Sequence, residues 1–118
     1  MELSNAKMQV AVENGVTVVS LSDQKILDEI NIARIGENLY SLVRDVGQPK
    51  MVVDFASVTN MSSSALGMLI TLHKRIREAD GQLRLCNIQP AIMEVFRITR
   101  LNEIFTLCNS RAEALENL

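Results

Sequence analysis

Short apolar runs open the chain and predict a hairpin followed by a helix. The Val-rich runs "MQVAVE" and "VTVVSL", residues 8–13 and 16–21, are separated by Asn14-Gly15. Both residues of an Asn-Gly pair tolerate positive φ, so the pattern predicts an antiparallel hairpin. Residues 26–47 then show apolar side chains at three- and four-residue steps, which predicts a helix ended by Gly47. This stripe consists of Ile32, Ile35, Leu39, Leu42, Val43 and Val46.

The rest of the chain alternates strands and helices. The continuous apolar run "KMVVDF" predicts a buried central strand, and "QLRLCNI" predicts a further strand. Between them, a second helix starts at a run of serines and ends at Asp80-Gly81. Its apolar face consists of Ala65, Met68, Leu69, Leu72 and Ile76. "PAIMEVFRIT" predicts a third helix, "IFTLC" a short strand, and "SRAEALENL" a fourth helix with a Ser110–Glu113 capping box.

The order of these elements is β-β-α-β-α-β-α-β-α. Strands that are joined through helices pair in parallel with right-handed crossovers, whereas the opening hairpin is antiparallel. The chain is therefore expected to have an α/β fold, with a mixed sheet of four to five strands and helices mainly on one face. Its 118 residues fit one domain spanning 1–118.

Composition narrows the setting of this domain. The chain has no Trp, one Tyr and three Phe, so the core is expected to be aliphatic. The net charge is −2, and the densest basic cluster is Lys74, Arg75 and Arg77. It is either a solvated helix end or a site for phosphate or an acidic partner, and it is too small to indicate nucleic-acid binding. No signal-peptide pattern and no run of about 20 apolar residues occurs, so we expect a cytoplasmic protein without membrane insertion.

Residues suited to catalysis are sparse. His73 is the one histidine, and it lies on the flank of an apolar helical face, where a half-buried structural role is expected. Cys86 and Cys108 are far apart in sequence and show no metal-ligand spacing. Neither phosphate-binding fingerprint, GxxxxGK[ST] or GxGxxG, is present. We therefore expect no enzyme activity, no cofactor and no metal site.

The run "VTNMSSSALGMLI", residues 58–70, places three serines at the start of the second helix. Serine is a preferred N-cap, so Ser62 is expected to cap the helix with its side-chain oxygen. Ser63 is then the first helical residue with its hydroxyl facing solvent, and Ser64, about 100° further round, is expected to approach the sheet. An exposed hydroxyl at a helix start is a candidate phosphoacceptor, because negative charge is favoured there.

Three segments together resemble the STAS domain of bacterial anti-sigma-factor antagonists. "MSSSALGML", "GQLRLCNIQP" and "VFRITRLNEIF" stand in the order of the corresponding family segments, and the resemblance covers residues 51–105. The sequence departs from the family pattern at Ser62, where Asp is usual, and at Ala65, where Gly is usual. Ser62 can still cap the helix but supplies no charge.

The resemblance implies a phosphorylation-controlled binding regulator that sequesters an anti-sigma factor serine kinase. Carried over by position, the phosphoacceptor is Ser63, and a serine phosphatase would reverse the modification. The expected partner-binding surface consists of Thr59, Asn60, Ser62, Ser63 and Ser64. Two alternatives stay open: a STAS accessory or scaffold subunit of a lipid transporter or stressosome-like assembly, and, more weakly, a nucleotide-binding STAS module.

Overall fold

A five-stranded mixed sheet forms the centre of the fold. The computed structural model describes residues 8–118. The strands of this sheet are β1 (Met8–Glu13), β2 (Val16–Leu21), β4 (Lys50–Asp54), β6 (Gln82–Cys86) and β7 (Thr106–Cys108), in the order β1-β2-β4-β6-β7. β1 is antiparallel to β2, and each later pair is parallel. The predicted mixed sheet is confirmed.

Two very short strands pair outside this sheet. They are β3 (Lys25–Ile26) and β5 (Asn60–Met61), which lie in parallel. Neither strand is predicted from the sequence, because two residues are too few to show any alternation of apolar and polar positions. Their pairing attaches the segment before the second helix to the segment before the first.

The Asn-Gly hairpin forms as predicted. Asn14 has φ 52° and Gly15 has φ 81°, the left-handed values that the tight turn between two twisted strands requires. The register begins with Glu13 opposite Val16. β1 is therefore aligned on β2 from the turn outward.

Helices cover both faces of the sheet unequally. They are α1 (Glu29–Val43), α2 (Ser63–Glu78), α3 (Pro90–Ile98) and α4 (Arg111–Leu115), with a 3₁₀ turn at Leu101–Glu103. The large core joins α1, α2 and α3 to one face of the sheet. A smaller cluster on the other face packs Ala114 of α4 against Val18, Val52 and Cys86. The prediction of helices mainly on one face is confirmed.

The predicted extent of α1 was wrong at both ends. Ile26 belongs to β3, and the helix begins after Asp28, whose side chain accepts a hydrogen bond from the Asn31 amide at 2.9 Å. The helix ends at Val43 rather than at Gly47. Asp45 adopts φ 61°, which a continuing right-handed helix does not allow, and Val46 is left exposed.

Close packing of α1 against α2 depends on Gly36. A Cβ atom at this position would lie 2.9 Å from the Cγ atom of Met68, so only glycine allows the observed approach. The Tyr40 hydroxyl donates to the Met68 carbonyl at 3.1 Å, and the Arg75 guanidinium lies over the Tyr40 ring, 4.2 Å from its centroid. Gly36, unfavourable for an isolated helix, therefore serves the contact between helices.

A buried carboxylate fixes α4 to the sheet. Asp54, at the end of β4, accepts hydrogen bonds from the Ala56 amide at 2.9 Å, from Asn87 at 3.1 Å and from Arg111 at 2.9 Å. Arg111 also donates to the Ser20 hydroxyl at 2.7 Å. A buried charge needs such partners because it has lost its water. The same contacts hold the first residues of the loop that leads from β4 toward β5.

Substitution of two glycines should change stability in opposite directions. In Gly81→Ala the new Cβ would lie 2.2 Å from the Pro49 carbonyl oxygen, so the free energy of unfolding should fall by about 1–3 kcal/mol. Gly67 lies exposed inside α2, and a Cβ atom added there would meet no neighbouring atom within 4 Å, so Gly67→Ala should raise the free energy of unfolding by about 0.5–1 kcal/mol. Urea denaturation measures both values, and a shift of the same sign in the two variants would contradict the packing.

Thiol reactivity should be low in the folded state and rise on unfolding. Cys86 and Cys108 are buried neighbours on β6 and β7, and both are free thiols. Burial, together with Asp54, raises the pKa of Cys86 to about 12. At pH 8 the reaction of Cys86 with Ellman's reagent should be at least ~10²-fold slower than in urea, because the thiolate is the nucleophile. Rapid modification of both thiols without unfolding would contradict this expectation of low reactivity.

Since the folded state keeps the Cys86 thiol protonated, the free energy of unfolding should also decline as pH rises from about 9 toward 12.

Candidate functional site

The segment that precedes α2 is held by backbone hydrogen bonds to β3 and its preceding residue. The amides of Thr59 and Asn60 both donate to the Gln24 carbonyl, at 2.7 and 3.1 Å. The Ser62 amide donates to the Ile26 carbonyl at 3.1 Å. The start of α2 is therefore attached to a fixed support rather than to a free loop.

Ser62 is the N-cap of α2, as predicted. Its backbone is extended, with φ −88° and ψ 168°, and its side-chain oxygen accepts a hydrogen bond from the Ala65 amide at 3.3 Å. The Ser62 carbonyl accepts from the Leu66 amide at 3.2 Å. The Ser62 hydroxyl is thus occupied in satisfying its own helix.

Ser63 is the first residue of α2 and is exposed, also as predicted. Within residues 8–118, its hydroxyl has no hydrogen-bond partner. Among the three serines of this run, Ser63 is therefore the one whose side chain is open to an incoming reagent.

The predicted direction of Ser64 was wrong. Ser64 does not approach the sheet; it is exposed, and its hydroxyl donates to the Glu29 carboxylate at 2.8 Å. The position lies on the side of α2 that faces α1, in line with Met68, four residues on, which packs against α1 at Gly36. The sequence gives the angle between successive residues but not which helix lies beside them, and for this reason Glu29 was missed.

Thr59 and Asn60 form the polar edge of the site. The Thr59 hydroxyl lies 3.1 Å from the Gln24 carbonyl oxygen and 3.0 Å from the Asn60 side-chain oxygen. Thr59 is half-buried by these contacts and Asn60 is exposed. The expected partner surface thus lies along one short stretch of chain, and its hydroxyls differ in whether they already have a hydrogen-bond partner. Its five residues are Thr59, Asn60, Ser62, Ser63 and Ser64.

The two neighbouring helix starts differ in charge. α1 has Asp28 at its N-cap and Glu29 in its first turn, whereas the first turn of α2 contains no acidic residue. A helix N-terminus is equivalent to roughly half a positive charge, which acidic residues of its own sequence compensate at α1 but not at α2. Beside Ser63 the start of α2 therefore favours an added anion, whereas beside Ser64 the Glu29 carboxylate already lies there.

The other candidate residues lie apart from the serines. His73 is half-buried near the middle of α2, with its ring edge-on to Phe105 at 5.3 Å, and burial together with Arg77 lowers its pKa. Lys74, Arg75 and Arg77 are all exposed on α2. Within the described part of the chain, no three His, Cys, Asp or Glu side chains converge as metal ligands would. None of the helices described among residues 8–118 has the length and apolar character of a membrane span.

The family model described as the STAS domain matches residues 7–114. The chain belongs to the STAS domain family. The curated relative BtrV of Bordetella bronchiseptica, named as a candidate anti-sigma factor antagonist, is 31% identical over 91 residues, which are 77% of this chain and 78% of BtrV. The resemblance seen in the sequence is thereby confirmed.

Solved structures agree with this membership. A STAS domain protein of Planctomyces limnophilus, described as an anti-sigma-factor antagonist, superposes with a TM-score of 0.84 at 27% identity, covering 92% of this chain and 94% of that one. The anti-sigma factor antagonist SpoIIAA, at 18% identity, shares the fold in its unphosphorylated form, with a TM-score of 0.67 over 90% and 91% of the two chains. Its phosphorylated form, from Bacillus, gives 18% identity and a TM-score of 0.69 over 92% and 96%.

Capping can be tested with three serine variants. Ser62→Ala should lower the free energy of unfolding by about 1 kcal/mol, because the Ala65 amide loses its partner. Ser62→Asp should restore the cap, since a carboxylate accepts the same bond and suits the helix start. Ser63→Ala is the matched control and should change stability by less than about 0.5 kcal/mol. Thermal or urea unfolding measures these values, and equal losses in Ser62→Ala and Ser63→Ala would show that the cap is assigned to the wrong residue.

Proposed function

We propose that this STAS domain, residues 1–118, is an anti-sigma-factor antagonist that acts in the cytoplasm. The unmodified chain sequesters an anti-sigma factor serine kinase, and phosphorylation of Ser63 releases it. A serine phosphatase then restores the binding form. The observation that supports this proposal is that Ser63 has the one open hydroxyl of the three serines at the start of α2.

The surroundings of Ser63 suit reversible phosphorylation. A phosphate adds about −1.5 to −2 charge at neutral pH. At the start of α2, where the first turn has no acidic residue, that charge is favoured by about 0.3–1 kcal/mol. The modification therefore leaves the fold intact and changes the surface alone.

The same residues suit a partner that leaves again. The expected partner surface presents exposed or half-buried polar groups on a backbone that is already held by hydrogen bonds to Gln24 and Ile26. Its residues are Thr59, Asn60, Ser62, Ser63 and Ser64. A preformed surface loses little conformational freedom on binding, which favours affinity. A phosphate in the middle of that surface would have to be buried against the partner, and this costs free energy unless the partner supplies a matching charge.

The relatives are consistent with this proposal. BtrV is named as a candidate anti-sigma factor antagonist and the Planctomyces limnophilus protein as an anti-sigma-factor antagonist, and SpoIIAA has been solved both with and without phosphate. The likeness to SpoIIAA concerns the fold alone, at 18% identity. The choice of Ser63 therefore depends on the hydroxyl contacts of this chain.

Affinity for the kinase should depend on Ser63. Ser63→Ala should bind the partner kinase as tightly as the unmodified chain and should resist release by ATP. Ser63→Asp should bind at least tenfold more weakly, a loss of about 1.4 kcal/mol, because it places a negative charge in the interface. Ser41 is an exposed residue of α1 away from the site, so Ser41→Asp adds the same charge elsewhere and is the matched control. Calorimetry or surface plasmon resonance measures the affinities.

Tandem mass spectrometry after incubation with the kinase and Mg–ATP should locate the phosphate on Ser63. Phosphate mainly on Ser62 or Ser64 would overturn this assignment. A partner that binds Ser63→Asp and the unmodified chain equally would favour a fixed docking role in a transporter or scaffold assembly instead.

A further inference from the structure

Two adjacent hydroxyls in the first turn of α2 differ in their surroundings although both are exposed. The Ser64 hydroxyl donates to the Glu29 carboxylate at 2.8 Å, whereas that of Ser63 has no partner within residues 8–118. Access from solvent therefore does not distinguish the two serines. The carboxylate from the neighbouring helix does.

We propose that Glu29 closes Ser64 to phosphorylation and so restricts the modification to Ser63. Glu29 is a selectivity residue in this role; it takes no part in the transfer itself. The inference rests on the proposed function, because selection between two serines requires a kinase that modifies one of them.

The chemistry of the transfer explains why a carboxylate protects the hydroxyl beside it. A serine oxygen attacks the γ-phosphorus of ATP, the bond between the β- and γ-phosphates breaks, ADP leaves, and the hydroxyl proton passes to a base of the kinase. At Ser64, the polyphosphate would have to approach a fixed negative charge, and the product phosphate would remain within hydrogen-bonding range of it. Although Glu29 could accept a proton, it opposes both the arriving and the bound phosphate.

Glu29 is itself held in place by favourable interactions. It lies in the first turn of α1, where a negative charge is favoured by the helix dipole. The N-cap residue Asp28 beside it accepts from the Asn31 amide at 2.9 Å, which fixes the start of the helix. A phosphate on Ser64 would therefore meet an acidic helix start. The Ser63 hydroxyl, by contrast, makes no hydrogen bond to Glu29, and the first turn in which it lies contributes no acidic residue of its own.

The first experiment measures the charge conflict without a kinase. Ser63→Asp and Ser64→Asp place a carboxylate at neighbouring positions of the same helix start, so the benefit from the dipole is shared. We expect Ser64→Asp to melt about 3 °C or more below Ser63→Asp. In the Glu29→Gln background the opposing charge is gone, so Ser64→Asp should no longer lower the melting temperature. Glu37 lies about two turns further along the exposed side of α1, so in the Glu37→Gln background Ser64→Asp should still lower the melting temperature by the same amount. Equal melting temperatures for the two Asp variants, or a penalty that survives in Glu29→Gln, would overturn the proposal.

The second experiment measures selection by the kinase that the unmodified chain binds, purified and supplied with Mg–ATP. In the Ser63→Ala background, Glu29→Ala should raise the initial rate of Ser64 phosphorylation at least tenfold, whereas Glu37→Ala should not change it. Circular dichroism confirms that each variant is folded. Equal rates at Ser64 with and without Glu29, while the wild-type chain is modified on Ser63, would overturn the selection and leave the proposed function standing. A wild-type chain that is not modified at all would overturn the proposed function, and the selection with it.

Discussion

The rotation of α2 about its own axis is the constraint on which the site depends. Four side chains on one line of the helix are fully buried in the core: Ala65, Leu69, Leu72 and Ile76. At 100° per residue they lie within an arc of about 60°, and Ser63 lies about 150° from the middle of that arc. Turning Ser63 inward would expose the buried line, so its access to solvent follows from burial of the opposite face.

The same rotation places Ser64 beside α1. Successive positions on that side of α2 are Ser64, Met68 and Arg75, and their partners on α1 are Glu29, Gly36 and Tyr40. Because parallel strands with right-handed crossovers start their helices at the same edge of the sheet, the first turns of α1 and α2 are neighbours. Contact between Glu29 and Ser64 is therefore a consequence of topology as well as of side-chain packing, and Gly36 allows the helices to approach closely enough for it.

Sequence patterns predicted those parts of the fold that are decided by neighbouring residues. The hairpin depends on the φ values of Asn14 and Gly15, and the cap of α2 depends on one hydroxyl three residues before its amide partner. The predicted end of α1 was wrong because Asp45 takes the left-handed conformation ahead of Gly47. Asp tolerates this conformation, but its presence in a sequence does not predict it. The β3–β5 pair and the partner of Ser64 depend on residues 35 positions apart, which no local pattern reports.

Under the proposed function, a phosphate on Ser63 would act on the surface around it and not through a conformational change elsewhere in the domain. The residues beneath it on α2 are buried and close-packed, and such an interior responds to small changes at the surface with little movement. The dipole of α2 favours the phosphate by about 0.3–1 kcal/mol, so the free protein gains slightly from modification. A partner that covers this helix start would instead have to remove water from a group of nearly two charges, a cost of several kcal/mol unless it is paired. The difference exceeds the ~1.4 kcal/mol of a tenfold change in affinity. A local modification on a rigid surface is therefore sufficient for a switch, and no rearrangement of the sheet is required.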